Sequence, residues 1–161
     1  MTNVPVETQI LDEIERRLRQ ISKAKGFFTD EIRVVRAGLQ PFSGKDMPAI
    51  NYWSSGDQLL ESTGFVELRE MELMVEFYDR HGEMPLNDKA NLLSSDVKIA
   101  LHRDPAHPER ISTKLGGLVE SVTVRSAIPA IGDERSAYCG SVITLAVRYR
   151  VDARYPFTLL R

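Results

Sequence analysis

The chain has one cysteine, Cys139, among its 161 residues, so no disulfide can form within it. That fits a reducing compartment. It has no run approaching the ~20 apolar residues that a membrane-crossing helix needs, so no membrane partner is expected. It has almost no net charge: 21 Lys and Arg face 23 Asp and Glu, leaving −2. No global basic field is there to hold nucleic acid by counterion release. Histidine is scarce too, at His81, His102 and His107. The last two are five apart with prolines between them, not the four-residue spacing that puts two ligands on one helical face, so no metal site is expected. Cys139 has no histidine near it in sequence to activate it and reads as a structural thiol. Gly116-Gly117 lack the spacing and the following Lys-Ser/Thr of a phosphate cradle. The opening Met1-Thr2-Asn3-Val4-Pro5 lacks a charged segment followed by an apolar run, so a protein made and kept in the cytoplasm is expected.

What is present is periodicity. From Gly140 to Asp152, Ile143, Leu145, Val147, Tyr149 and Val151 alternate with Thr144, Ala146, Arg148, Arg150 and Asp152. A period of two over this length predicts a long strand with one buried and one polar face, ending in the turn-like Tyr155-Pro156. Met71, Leu73, Val75 and Phe77 alternate in the same way within a strand over about Gly64 to Arg80. Residues 7–25 form an amphipathic helix with Ile10, Ile14, Leu18 and Ile21 on one stripe, acids first and bases last, and Gly26 as its stop.

Thr29 to Ala37 reads as a first strand, Gly38 to Met47 as a loop carrying Phe42, and Pro48 to Trp53 as a second strand broken by Ser54-Ser55-Gly56. A second helix covers about Asn87 to His102, capped by Asn87 or Asp88. A fourth strand runs over about Leu118 to Ser126, and Ile128 to Gly140 reads as a polar loop. Strands in runs, punctuated by helices, predict an α+β domain over residues 1–161: a mostly antiparallel sheet of about four to five strands with two main helices packed on it.

No constellation of catalytic residues emerges. The sharpest feature is a pair of charged ribs. Glu70, Glu72 and Glu76 stand on one strand face, and Arg148 and Arg150 on another. Neighbouring strands would let them neutralise each other at about 0.2–1 kcal/mol per pair. On different subunits they would fix the register of an assembly. Both readings are open at this point. So are the two roles of Phe42, a contact residue at a loop tip or a side chain folded back over the core.

Four segments together resemble a family. They are the first helix ending at Gly26-Phe27-Phe28-Thr29-Asp30, the strand start Pro48-Ala49-Ile50-Asn51-Tyr52, the mid-chain helix followed by Gly116-Gly117-Leu118, and the closing strand Thr144 to Asp152 followed by Tyr155-Pro156-Phe157-Thr158. Nearly the whole chain resembles the tail terminator (tail completion) proteins of long-tailed bacteriophages, a class of minor tail protein. The resemblance implies an α+β subunit of a hexameric ring on the head-proximal end of the tail tube. It implies a virion location, in the tail or neck, after assembly in the host cytoplasm. Its partners would be further copies of itself, the tail tube protein and the head-side connector protein. DNA would pass through without specific binding, and no cofactor or catalytic residue would be needed. A ring closed by heterologous contacts needs two different complementary patches. The two ribs and Phe42 are the candidates, and the loops at 38–47 and 127–140 are long enough to line the lumen.

Two other readings remain. One is a neck or head–tail joining protein of the same virion. The other, from a different class, is a small α+β enzyme or ligand-binding protein using Arg125, Arg148 or Arg150 on an acidic or phosphorylated ligand. A deep pocket gathering arginine with a carboxylate or histidine would mark the latter.

Overall fold

A computed structural model describes residues 4–38, 42–131 and 138–159. The chain is α+β, with two α-helices and a six-stranded mixed sheet. Helix α1 spans Val6–Leu18 and α2 spans Leu86–His102. The strands are β1 (Val34–Ala37), β2 (Ala49–Thr63), β3 (Val66–Arg80), β4 (Ser121–Ile131), β5 (Tyr138–Asp152) and β6 (Tyr155–Leu159). Their order across the sheet is β1-β2-β3-β5-β4, with β6 also pairing with β5. Among the described residues only the β1–β2 pair is parallel. The sheet therefore has one strand more than the four to five expected, and it is mixed because β1 runs alongside β2 in the same direction.

The alternation in β5 and β3 places the core. Ile143, Leu145, Val147 and Tyr149 are fully buried, as are Leu73, Val75 and Phe77. Each such side chain contributes about 1.5–3 kcal/mol by leaving water. Val6, Ile10, Ile14 and Leu18 of α1 and Leu93, Val97 and Leu101 of α2 close over the same side. The other side of the sheet carries the charged ribs.

Several expected boundaries shift for local reasons. α1 stops at Leu18, not at residue 25. Gln20 and Ile21 switch to the tighter bonds N–H to Arg17 O and N–H to Leu18 O, and Ser22 is extended. Gly26 stops a separate short turn over Lys23–Lys25, with φ 82°. Strand β1 starts at Val34, five residues after Thr29. β2 does not break at Ser54-Ser55-Gly56. It runs on to Thr63, because register shifts at Ser54/Gly56 and Leu59/Glu61 absorb extra residues while pairing with β3 continues. Gly64, with φ 63°, opens the two-residue turn into β3.

α2 begins on Pro85, with Lys89 N–H bonded to Pro85 O, and neither Asn87 nor Asp88 caps it. β4 starts later than expected and continues to Ile131, and β5 begins at Tyr138. Much of the supposed loop at 128–140 is thus strand, and residues 132–137 lie outside the described residues. Tyr155-Pro156 opens β6, and the turn is at Ala153-Arg154. The loop at 38–47 is described only at Gly38 and from Phe42 onward.

Candidate functional site

The register decides how the ribs meet. β3 and β5 pair so that Glu70 stands opposite Arg148, while Glu72 faces Ala146 and Glu76 faces Val142. Glu70 accepts from Arg148 Nε at 2.8 Å and is also ion-paired with Arg125. Arg125 reaches it from two strands away because the β4 bulge between Val124 and Ser126 leaves it as the extra residue. The carboxylate is buried while both guanidiniums are half exposed. Bonding to Arg148 and the two nearby charges hold the Glu70 carboxyl below its ordinary value, against the opposing pull of desolvation.

A carboxyl with a depressed folded value stabilises above its unfolded value and loses that contribution as pH falls. The stability gap between the wild type and Glu70→Gln is therefore expected to be widest near neutrality. It should narrow as pH drops below the ordinary 4.5, followed by urea melts at stepped pH. A gap constant from pH 7 to 3 would show that the carboxylate is not held by charge.

The other rib members go separate ways. Arg150 pairs with Glu120 at 2.5 Å. Glu72 accepts from Ser55 Oγ at 2.6 Å. Phe42 folds back on the sheet: its ring lies 6.4 Å from that of Tyr78, and the Arg36 guanidinium sits 3.9 Å above it. The ribs do neutralise each other within the chain at Glu70–Arg148, but Glu72, Glu76 and Arg150 are not part of that pair.

On the helix side, the Tyr149 hydroxyl donates toward Glu7 (3.0 Å) and Asp57 (3.2 Å), and Asp57 also holds Arg69 at 2.8 Å. Burial and the two carboxylates push the Tyr149 phenol far above its ordinary value, so it stays a neutral donor. At the other end of α1, Arg19 binds Glu15 and Val35 O, and Tyr52 donates to Glu15 at 2.6 Å. These networks clamp α1 along the sheet.

The three histidines are not brought together, and among the described residues no group of three metal-ligating side chains occurs. Cys139 is buried, which raises its thiol. A cleft of about 820 Å³ gathers Arg33, Arg80 and His81 with Asp79 and Lys89. Asp79 is occupied by Lys89 at 2.6 Å, and none of Arg125, Arg148 or Arg150 lines the cleft.

The feature that sequence reasoning missed is an apolar end. β1 covers β2 only from Ala49 to Tyr52. Beyond it, Ser54–Thr63 is exposed throughout. This half of the β2–β3 hairpin forms an arm whose outer edge has no strand partner among the described residues. Leu59, Leu60 and Phe65 on the arm are exposed, as are Tyr155 and Phe157 on neighbouring β6. Arg154 bridges the two groups, lying 4.2 Å from the Phe65 ring and 5.7 Å from that of Tyr155. The signal was two adjacent leucines between polar residues, in a stretch between the expected break at Ser54-Ser55-Gly56 and the strand from about Gly64. The chain matches no protein-family model, and no curated protein is similar enough to it to count as a match.

Proposed function

We propose that the protein is a structural virion subunit. In this reading it forms a hexameric ring that caps the head-proximal end of a phage tail tube, stops tube polymerisation and joins the tube to the head-side connector. DNA passes through without specific binding, and no cofactor or catalytic group takes part. The observation that carries the reading is the apolar arm end. Five large apolar side chains exposed at one end of a sheet, beside a strand edge with no partner among the described residues, are what a protein interface looks like before its partner arrives. The resemblance to tail terminators supplies the identity of that partner.

Electron microscopy of particles made with and without the gene tests this. Overlong, headless tubes in the deletion are expected. Normal-length tails lacking heads would favour a neck protein, and unaltered infectious particles would refute a virion role. Complementation with a Leu59→Glu, Leu60→Glu variant is expected to reproduce the overlong tubes while the purified variant melts like the wild type. Both side chains are exposed, so the change costs assembly rather than fold. Reversing charge at Arg148 and Arg150 tests the ribs. A folded variant that still forms rings would remove them from the interface.

A second reading, a ligand-binding protein, would use the Arg33, Arg80 and His81 cleft rather than the Arg148 face. Unaltered particles in the deletion would make that cleft the next target.

A further inference from the structure

The arm end has a counterpart at the opposite end of the same molecule. Glu7, at the start of α1, meets Asp57 on the arm through Tyr149, and Gln9 reaches Phe157 O at 3.3 Å. The start of α1 therefore lies at the arm end. The last turn of α1 lies at the other end, where Arg17 binds Leu101 O and Arg103 O at the close of α2. Two concavities open beside that junction. One, of about 290 Å³, is lined by Phe27, Ala100, Pro105 and Pro108 with Arg17, Lys25 and Arg103. The other, of about 300 Å³, is lined by Ile99, Pro108, Ile111 and His102 with Lys98, Arg103 and Glu109. Arg103 and Pro108 form the ridge between them.

The chemistry of this double cleft is apolar with a cationic rim. The Arg17 charge is met by Glu13 at 2.7 Å. The Lys25 ammonium donates to the Gln20 side chain, and Arg103 donates to Lys25 O at 3.1 Å while lying over the Phe27 ring. Neither bond neutralises a charge. The one carboxylate on the rim, Glu109, also pairs with His107 and Arg110. Ile111 stands 83% exposed. Among the described residues the enclosed His102 Nε2 has no hydrogen-bond partner. An occupant of matching chemistry would carry bulky apolar side chains next to an acid.

The arm carries that combination. Leu59 and Leu60 are consecutive and both exposed, Leu60 being the extra residue of the bulge between Leu59 and Glu61, and exposed Glu61 follows them. We propose that the arm of one copy docks into the double cleft of the next. Leu59 and Leu60 enter the concavities on either side of the Arg103–Pro108 ridge, and Glu61 meets the cations of the rim. Patch and counter-patch lie at opposite ends of α1, so the contact is heterologous and head-to-tail, the kind that closes a ring when the rotation between copies allows. This deepens the ring reading and rests on it for the number of copies.

The test is a directed cross-link. Full-length Leu60→Cys and Ile111→Cys proteins, distinguishable by tag, are mixed and treated with a short bismaleimide. Buried Cys139 keeps the background low. The mixed Leu60→Cys/Ile111→Cys product is expected, and Leu60→Cys with Glu83→Cys serves as the control. Arg103→Glu added to the Ile111→Cys chain is expected to lower the yield by more than about tenfold, since it sets like charges face to face. Glu61→Lys on the arm should then restore much of it.

Both chains are checked by thermal melting first. Yield no greater than the control pair, or yield unmoved by Arg103→Glu in a folded chain, overturns the docking. Rings that cap tubes normally without this cross-link would sink the docking and leave the terminator reading standing. The cross-link together with unaltered tails in the deletion would do the reverse.

Discussion

Gly140→Ala is expected to destabilise the fold by about 3 kcal/mol, near the upper end of the usual cost of overpacking. In a domain of this size that is a fall in Tm of roughly 6–12 °C. Gly140 lies on β5, opposite Tyr78 on β3 and Ala130 on β4. A Cβ there would sit 2.4 Å from Tyr78 Cδ1 and 2.7 Å from Phe77 O. The first neighbour is a ring that could swing, but the second is backbone in the middle of the sheet. The ring is also the floor of a stack, since Phe42 packs on Tyr78 and Arg36 on Phe42. Displacing it loosens the loop carrying Phe42. Thermal melting and urea titration check the figure. Tyr78→Ala in the Gly140→Ala background should recover part of the loss but not all, because the Phe77 carbonyl remains. A Gly140→Ala protein as stable as the wild type would mean that the ring does not lie across the glycine.

The same neighbourhood shows what a single chain can reveal. The alternation of Ile143 to Val151 and of Met71 to Phe77 predicts two buried strand faces, and both are buried. These strands could be read because every second residue answers to one core. β2 could not be read past Trp53. Its outer half is exposed throughout, so Ser54-Ser55-Gly56 carried no burial signal to outweigh their turn chemistry, and two bulges broke the period. β1 is parallel and only four residues long, too short for periodicity to mark. α1 ends early for a related reason. Ile21 stays in the core after the helix has stopped, so the hydrophobic stripe outlasts the helical hydrogen bonds.

For the candidate site, residue type was legible and register was not. An acidic and a basic rib could be seen, and their mutual neutralisation on neighbouring strands was one of two open outcomes. The register leaves Glu70 with Arg148 but sends Glu72 and Glu76 opposite Ala146 and Val142. Arg125 joins only because of a bulge. The apolar end draws on Leu59, Leu60, Phe65, Tyr155 and Phe157, which are spread over almost a hundred residues and come to one end of the sheet through the pairing of β6 with β5 and the Arg154 bridge. The double cleft likewise joins the last turns of two helices with Pro105 and Pro108 from the segment that follows α2. Interfaces assembled from distant segments are the part of function that periodicity does not encode.

Arg17 carries the second large effect, because one guanidinium holds the cleft end together. It is 1% exposed. Its Nε donates to Glu13 at 2.7 Å, and its Nη1 donates at 2.9 Å to both Leu101 O in the last turn of α2 and Arg103 O just past its end. It thus joins α1 to the end of α2, where a cation also complements the helix dipole. Arg17→Leu keeps the apolar stem but strands two carbonyls away from their donor. Glu13 does not become an isolated charge, since Arg16 still pairs with it at 2.7 Å.

The expected loss is therefore about 3 kcal/mol, the low end for breaking a buried ion pair. Arg17→Lys should recover little of it, because a single ammonium on a shorter reach does not span the carboxylate and both carbonyls. Hydrogen exchange separates this from simple loss of packing. Protection should fall first in the amides of the last turn of α2 and in the 103–111 segment, while β3 and β5 exchange through global unfolding. If the docking of the arm is also right, Arg17→Leu weakens the Leu60→Cys/Ile111→Cys cross-link at temperatures where the protein is still folded. Uniform loss of protection across the sheet would instead show that Arg17 holds the whole core rather than the end where the two helices meet.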